Sequence, residues 1–372
     1  MGGVGAVAIV DRLHDRAVHE RASDIHVEPT ANGARIRLRV DGRLRQIESL
    51  DERIAGAVIS RFKVLAGMDI AERRLPQDGR YSFDAGSRQI DARVASLPGR
   101  EGEKLAIRLL DLSARSPSVR ELGMADAARS AFCAALDAAF GFIVVCGPTG
   151  SGKTTTVYAA LDRLNTPERN ICTIEDPVER VVAGVTQVQV NPRAGLTFDR
   201  VMRGVLRHDP DVIMIGEMRD SETAATAAGA ALSGQLVLTT LHSADAPRAI
   251  ERLIELGVSR AALAAGLSAV LAQRLVRRRC VACSPAGEDS VRPNDCLACG
   301  GSGFRERIGL FELLLVDDSI REAIAGGASF ASVGRLANAG GYRPLRVDAR
   351  EKLACGITTP AEVVRALGAL DE

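Results

Sequence analysis

The segment GPTGSGKT, at positions 147–154, constrains the fold of this 372-residue chain more than any other feature. It satisfies the pattern G-x-x-x-x-G-K-[ST], follows the apolar run FIVVC at 142–146, and precedes residues 155–164, which can continue as a helix. In that setting the glycines let backbone amides turn toward an anion, Lys153 reaches the outer phosphates, and Thr154 can bind magnesium. The alternative, a glycine-rich turn that matches by chance, is disfavoured by the flanking strand and helix. The predicted nucleotide-binding residues are Gly147, Pro148, Thr149, Gly150, Ser151, Gly152, Lys153, Thr154 and Thr155.

Polar residues also follow other apolar runs, where the carboxyl ends of parallel strands would meet. Glu217 comes after VIMI at 212–215 and has the position of a Walker B acid, although Gly216 stands where common P-loop enzymes place an aspartate. Taken alone, Glu217 fits a surface loop equally well. His242 follows LVLTT at 236–240 and could sense the terminal phosphate; a purely structural histidine is the alternative.

Three carboxylates, Glu175, Asp176 and Glu179, crowd the segment after ICTI at 171–174. Crowded acids near a bound phosphate can bind metal or orient water. In isolation, however, a solvated turn formed by Asp-Pro explains them better. The cluster therefore gains a catalytic interpretation only from its surroundings.

Apolar patterning divides the chain into two predicted domains. Residues 1–112 are predicted to form an α+β domain: a helix over 4–21, alternating ARIRLRV at 34–40, a turn at Asp41-Gly42, and a helix near 51–67. Further short strands are predicted there around 80–84, 88–94 and 104–110. Residues 113–122 include a small, polar, proline-containing stretch, which is typical of a linker.

The remaining residues, 123–372, have the pattern of an α/β domain. Continuous apolar runs at 142–146, 171–174, 212–215 and 236–240 alternate with helical stretches. Such runs predict a mostly parallel sheet covered on both faces. Past about residue 310 the pattern predicts helices.

Composition disfavours two classes of partner. The formal net charge is +1 and aromatic residues make up 3%, so the chain lacks both the basic footprint and the stacking platforms of a typical nucleic-acid binder. No window approaches the roughly 18 uninterrupted apolar residues of a membrane helix, and no basic segment precedes the first apolar stretch. We therefore expect a cytosolic protein.

Four of the eight cysteines form two CxxC pairs, Cys280/Cys283 and Cys296/Cys299, separated by 12 residues. This spacing predicts one tetrahedral zinc site with four thiolate ligands over 280–299. A redox dithiol is the weaker alternative, because it needs one CxxC near a helix start. The other four, Cys133, Cys146, Cys172 and Cys355, are expected to be small buried apolar residues.

Several motifs occur together in a recognisable order: ASDIHVEP, RLRVDGRL, LPQDGRYSF, IDARVASLP, the P-loop, TIEDPVE, LRHDPDVIMIGEMRDSETA, TTLHSADAPRAIERL, LAQRLVRRRC and RIGLFELL. The chain resembles the type II secretion ATPase E family, close kin of the type IV pilus assembly ATPases. The resemblance covers nearly the whole chain. It implies a RecA-like C-terminal domain, preceded by a smaller PAS-like α+β domain and including a four-cysteine zinc lobe.

The resemblance also implies roles for individual residues. TIEDPVE matches the Asp box, which makes Glu179 the candidate for activating the attacking water, with Glu175 and Glu217 supporting magnesium and water geometry. His242 falls in the His box. Arg80 and Arg93 match N-terminal arginines that reach the nucleotide and would offset charge on the transferred phosphoryl group. The arginines at weaker matching positions are Arg207, Arg219 and Arg274.

Three departures from the family pattern affect these expectations. Gln235 stands where the His box usually has a histidine, and we expect it to position substrate or a helix without titrating. The spacer between the CxxC pairs is shorter than in secretion members, which alters the expected shape of the zinc lobe. ASDIHVEP begins at residue 22, so we expect no additional N-terminal docking domain in this polypeptide, which is either a short family member or part of a longer chain.

The leading hypothesis is a homohexameric cytoplasmic ATPase that uses ATP, Mg²⁺ and Zn²⁺ and drives pseudopilus assembly in type II secretion. It would associate with the inner membrane through platform proteins and would not bind nucleic acid. A type IV pilus assembly ATPase is the alternative; the zinc cysteines disfavour a retraction motor. Two other classes remain open: a RecA-type nucleic-acid translocase, and a structural adaptor that binds ATP without hydrolysis.

Overall fold

The structure is a computed structural model that describes residues 5–86, 88–111, 115–283 and 296–369. The chain separates into two compact units, Met1–Arg115 and Ser116–Glu372, each with its own hydrophobic core. Of the predicted linker, 113–122, positions 113 and 114 lie outside the described residues, as does position 112 at the end of the predicted first domain. Residues 115–122 form neither helix nor strand.

The first unit is a six-stranded antiparallel sheet with two helices packed on one face. Its elements are α1 Ala6–His19, β1 Ala22–Thr30, β2 Gly33–Val40, β3 Arg43–Asp51, α2 Glu52–Leu65, β4 Gln77–Ala85, β5 Arg88–Gly99 and β6 Gly102–Asp111. The strand order is β3-β2-β1-β6-β5-β4, so the first and last strands pair at the centre. Ile36 and Leu38 of β2 are fully buried against α1 and α2, which explains the alternation in that segment.

The predicted elements of this unit are confirmed, including the turn between β2 and β3. Asp41 and Gly42 have φ values of +48° and +80°. Both central residues of a type I′ hairpin turn need positive φ, and Asp-Gly supplies it at low steric cost.

The second unit is a seven-stranded sheet covered by helices on both faces. Its elements are α3 Asp126–Leu136, β7 Gly141–Cys146, α4 Lys153–Leu164, β8 Ile171–Glu175, β9 Thr186–Gln189, a 3-10 helix Pro192–Ala194, α5 Phe198–Val205, β10 Val212–Ile215, α6 Ser221–Leu232, β11 Leu236–Leu241, α7 Ala246–Glu255, α8 Arg260–Gly266, β12 Leu267–Arg279, β13 Phe304–Leu315, α9 Asp318–Ala325, α10 Phe330–Ala339, α11 Leu345–Ala354 and α12 Pro360–Leu367. The strand order is β13-β12-β7-β11-β10-β8-β9, and only β12 and β13 pair antiparallel. The prediction of a mostly parallel sheet covered on both faces is confirmed.

Burial explains why this sheet was visible in the sequence. β7, β8, β10 and β11 are buried along their whole length, so each is a continuous apolar run with little alternation. One core lies between the sheet and the helices α3 and α4, a second lies between the sheet and α5 to α10, and a smaller third joins β12 and β13 to α11 and α12. The carboxyl ends of these four parallel strands lie side by side at one end of the sheet, and the P-loop begins there.

The expectation of helices past about residue 310 is wrong as far as Leu315. β13 continues to that residue because it pairs along nearly its whole length with β12, and α9 begins only at Asp318. The sequence pattern does not predict β12 either. Its first part is buried on both faces, and its second part is a run of arginines with little alternation.

Candidate nucleotide-binding site

The P-loop joins β7 to α4 at the carboxyl edge of the second sheet. Gly150 and Gly152 have φ values of +76° and +89°, in the left-handed region that glycine adopts without strain. Thr154 and Thr155 lie in the first turn of α4, where the amide groups and the helix dipole favour an anion. This is the strand-loop-helix context that the sequence predicted.

Lys153 begins α4 and curls back over the loop. Its Nζ donates hydrogen bonds to the carbonyl oxygens of Gly147, at 2.9 Å, and Pro148, at 3.1 Å. Burial lowers the pKa of Lys153, and the nearby Glu217 carboxylate opposes that shift. The ammonium group is therefore held inside the curve of the loop, where phosphate oxygens can replace the two carbonyls.

Gln273 of β12 supports the P-loop from the neighbouring strand, and the sequence analysis missed it. Its side chain is 1% exposed, and its Nε2 donates to the Ser151 carbonyl at 2.7 Å. A Cβ atom at Gly147 would lie 2.5 Å from the Gln273 carbonyl oxygen, and one at Gly152 would lie 3.0 Å from Gln273 Nε2. Glycine at both positions thus lets the loop lie against β12. The signal in the sequence was a polar amide inside the apolar run LSAVLAQRL.

Glu217 and His242 lie together just after β10 and β11. His242 Nε2 is 2.9 Å from Glu217 Oε1, and Arg219 donates to Glu217 Oε2 through Nε at 2.9 Å and through a terminal nitrogen at 2.7 Å. The bond to Glu217 raises the pKa of Arg219. Thr240 Oγ1 donates to the Gly216 carbonyl at 2.7 Å, which fixes the two strand ends to each other.

The two glutamates of the Asp box occupy different environments. Glu175 is buried, and its Oε1 accepts hydrogen bonds from Thr173 Oγ1 at 2.6 Å and Gln187 Nε2 at 3.0 Å. Its Oε2 accepts from the Tyr158 hydroxyl of α4. Glu179 is exposed, and its backbone N–H donates to the same hydroxyl at 3.3 Å. The catalytic and magnesium-supporting roles of the two residues stay predictions.

Comparison with known proteins identifies the family to which this chain belongs. Residues 5–365 match the family described as Type II/IV secretion system protein. The chain belongs to that family. The resemblance noted from its motifs is confirmed, and the chain is an ATPase of the type II/IV secretion family.

Its relatives include both secretion and pilus proteins. Type II secretion system protein E of Dickeya dadantii is 43% identical over 375 residues, covering 96% of this chain and 75% of that protein. Type IV pilus assembly ATPase PilB of Thermus thermophilus is also 43% identical, over 378 residues, covering 96% of this chain and 42% of PilB. The structure of the pilus retraction motor PilT with bound ADP is 25% identical with a TM-score of 0.69, covering 99% of this chain and 98% of PilT.

The secretion ATPase has no helix, among the residues described, that is both long and apolar enough to cross a bilayer.

The arginines that match family positions fall in both units. Arg80 and Arg93 are directly paired across β4 and β5 of the first unit. Arg274 of the second unit is half-buried and donates to the Ala244 carbonyl at 2.7 Å, and burial lowers its pKa. Arg207 donates to a backbone carbonyl of α5 at 3.0 Å. Nucleotide contacts by these arginines stay predictions.

Gln235 lies far from the site that was expected for it. It directly precedes β11, at the amino end of that strand, whereas His242 and the P-loop lie at the carboxyl edge. Gln235 therefore does not reach a nucleotide held by the P-loop of the same chain, and the substrate-positioning alternative is wrong within one polypeptide. Its backbone carbonyl instead accepts a hydrogen bond from the Gly141 N–H at the start of β7, at 3.1 Å.

The four CxxC cysteines of the secretion ATPase lie close together, with their Sγ atoms all within 4.8 Å of one another. Cys280 and Cys296 are 3.9 Å apart at Sγ, and Cys283 and Cys299 are 3.6 Å apart. Four sulfurs at about 2.3 Å from a tetrahedral zinc would be about 3.8 Å from one another, so this donor set fits the ion. The expected change in the shape of the zinc lobe concerns the spacer, 284–295, which lies outside the described residues.

The remaining cysteines follow the expectation in part. Cys146 and Cys172 are buried and Cys133 is partly buried, as small apolar residues would be. Cys355 is exposed, which corrects the prediction for that residue, because it lies at the C-cap of α11 where the helix leaves the core.

Proposed function

We propose that this chain is the motor of a type II secretion system, which hydrolyses ATP to ADP and phosphate to power pseudopilus assembly. It would act as a homohexamer on the cytoplasmic side of the inner membrane, attached through platform proteins. The observation that carries the proposal is the complete P-loop with Lys153 held inside it, close enough to the Glu217–His242 pair for the Glu217 carboxylate to act on the charge of Lys153. Relatives named type II secretion system protein E support the choice of machinery.

In the proposed reaction, Lys153 leaves the carbonyls of Gly147 and Pro148 and neutralises the outer phosphates of ATP. The amides of the loop and of the first turn of α4 hold the phosphate chain in place. Thr154, at the start of α4, would hold Mg²⁺, which when bound offsets the negative charge of the phosphates.

The attacking water would be activated by Glu179 and oriented near Glu217. His242 Nε2 lies 2.9 Å from Glu217 Oε1. His242 would sense the outer phosphate if this contact changes when the phosphate is present. Arg80 and Arg93, which pair across two strands, are the candidates for offsetting charge on the phosphoryl group in the transition state.

Two further parts of the proposal concern domain types and metal. The first domain predicted from the sequence, residues 1–112, would be PAS-like, which its antiparallel sheet and central β1-β6 pairing support, and residues 123–372 would be the RecA-like motor domain. The four CxxC cysteines, Cys280, Cys283, Cys296 and Cys299, would hold a structural Zn²⁺, which when bound would cross-link the two CxxC pairs.

The test is phosphate release from ATP by the purified chain, with fluorescent-nucleotide titration in parallel. The wild type is expected to turn over ATP, Lys153→Ala to lose binding and turnover, and Glu179→Gln to keep binding but lose about 100-fold or more in kcat. Equal turnover by wild type and Glu179→Gln would refute the role of Glu179. Absence of turnover in the wild type, as isolated chain and with the cytoplasmic part of its membrane partner, would favour the adaptor hypothesis.

A type IV pilus assembly motor is the second candidate, because PilB shares 43% identity with this chain. Deleting the gene in its own host separates the two functions. Type II secretion predicts that secreted enzymes accumulate inside the cells while surface pili persist; the reverse pattern would assign the chain to pilus assembly.

A further inference from the structure

The loop that carries Glu179 is attached to α4 by a side chain to which the proposed reaction assigns no role. Tyr158 is 2% exposed, and its hydroxyl donates to the Glu175 carboxylate. The same oxygen accepts the backbone N–H groups of Glu179 and Arg180, each at 3.3 Å. A phenolic hydroxyl has one proton and two lone pairs, so these three bonds use its full capacity.

Glu175 is a fixed acceptor for this hydroxyl. Thr173 Oγ1 and Gln187 Nε2 donate to its other oxygen at 2.6 and 3.0 Å. Gln187 Nε2 also donates to the Arg180 carbonyl at 2.9 Å, which ties the loop back to β9. Both oxygens of Glu175 are thus engaged by protein donors, so the geometry favours an anchoring role for Glu175 over a metal-ligating one.

A second tether joins the same loop to α4. The Arg180 guanidinium donates to both carboxylate oxygens of Asp162, at 2.7 and 2.9 Å. It also lies 5.1 Å from the centre of the Tyr158 ring. Tyr158 and Asp162 are four residues apart, on one face of the helix, so both tethers act from one rigid surface.

α4 also begins with Lys153, the residue that meets the phosphates. A loop held to this helix keeps a fixed distance from the bound phosphate chain. We propose that Tyr158 is a positioning residue for ATP hydrolysis: its hydroxyl sets the place of the Glu179 backbone relative to the P-loop. The inference rests on the proposed role of Glu179 in activating water.

The direct test is Tyr158→Phe, which removes one oxygen and keeps the ring. The expected result is a fall in kcat of about tenfold, with the nucleotide Kd changed by less than about twofold, because the P-loop keeps its contacts. Hydrogen exchange at the amides of Glu179 and Arg180 should accelerate. Tyr81→Phe is the control for the loss of a buried tyrosine hydroxyl: its hydroxyl is 2.6 Å from His14 Nε2 in the first unit, so the variant loses that one bond and should keep the wild-type kcat.

A double-mutant cycle distinguishes positioning from a general loss of stability. If Tyr158 acts through Glu179, adding Tyr158→Phe to Glu179→Gln should lower kcat by less than about twofold further. An additional tenfold loss in the double variant would overturn the inference. So would an unchanged kcat in Tyr158→Phe while the wild type hydrolyses ATP, and that result would leave the proposed function intact.

If Tyr158→Phe does not fold, Asp162→Asn tests the positioning role instead. Asp162 is partly exposed and the change is conservative, so the fold is at little risk. The expected result is a fall in kcat of about threefold with unchanged nucleotide Kd, since one of the two tethers is weakened. An unchanged kcat, or an equal loss of kcat and nucleotide affinity, would contradict the positioning role.

Discussion

Replacing Gln273 by leucine tests whether β12 supports the P-loop. The substitution keeps the approximate volume of a side chain that is 1% exposed but removes the donor that the Ser151 carbonyl accepts at 2.7 Å. A buried acceptor left without a partner costs about 1–3 kcal/mol. Part of that cost is offset, because Gln273 Oε1 has no hydrogen-bond partner among the described residues and its own desolvation cost, about 1 kcal/mol, disappears.

The net effect of the substitution is to destabilise the binding conformation of the P-loop by about 1 kcal/mol. Because about 1.4 kcal/mol corresponds to a factor of ten, nucleotide Kd should rise about fivefold. Titration with a fluorescent ATP analogue measures this directly. Gln235→Leu is the matched control: its Oε1 is also buried without a partner in the described part of the chain, but it lies at the opposite end of β11 from the P-loop, so Kd should not change. An unchanged Kd in Gln273→Leu, or an equal rise in Gln235→Leu, would refute the reasoning.

Two other predictions concern stability and metal. Although burial raises it, hydrogen bonds from Arg365 and Arg277 lower the pKa of Glu362 to about 2. A depressed carboxyl pKa stabilises the fold above about pH 4.5, and that stability is lost as pH falls toward 2, so Glu362→Gln should cost about 2 kcal/mol at pH 7 and progressively less in thermal melts below pH 4.5. Metal analysis of reduced protein should find about one zinc per chain in the wild type and in Cys355→Ser, and much less in Cys299→Ser; under about half an equivalent in the wild type would contradict the zinc assignment.

The sequence predicted those parts of the fold in which local pattern and burial agree. β7, β8, β10 and β11 were visible because strands buried on both faces are continuous apolar runs. The P-loop was visible because its chemistry needs a fixed spacing of glycine and lysine. β12 and β13 were missed because their hairpin is joined across the spacer 284–295, and no local turn signal marks the pairing.

In the candidate site, too, the sequence predicted some residues and missed others. Glu217 and His242 could be placed at strand ends, and the structure brings them to 2.9 Å. Tyr158 and Gln273 could not be singled out, since a tyrosine on a buried helix face and an amide in an apolar strand both fit ordinary core positions. Glu175 was grouped with exposed acids, yet it is 3% exposed, and its carboxylate accepts hydrogen bonds from Thr173 on the same strand and from Gln187 on β9, a strand that the sequence pattern does not predict.

β12 has a mechanical consequence for the second unit. The strand passes Gln273, which holds the P-loop, and runs to Arg279, directly before Cys280 of the four-cysteine cluster. The seven residue steps from Gln273 to Cys280 span about 23 Å at roughly 3.3 Å per residue. Because the cluster lies between the end of β12 and the start of β13, a pull on it would load both strands of the hairpin together, and the parallel pairing of β12 with β7 would carry the shear. The register shift between Arg277 and Arg279 interrupts the β12–β13 pairing on this route, so we expect the strand to bend there most easily.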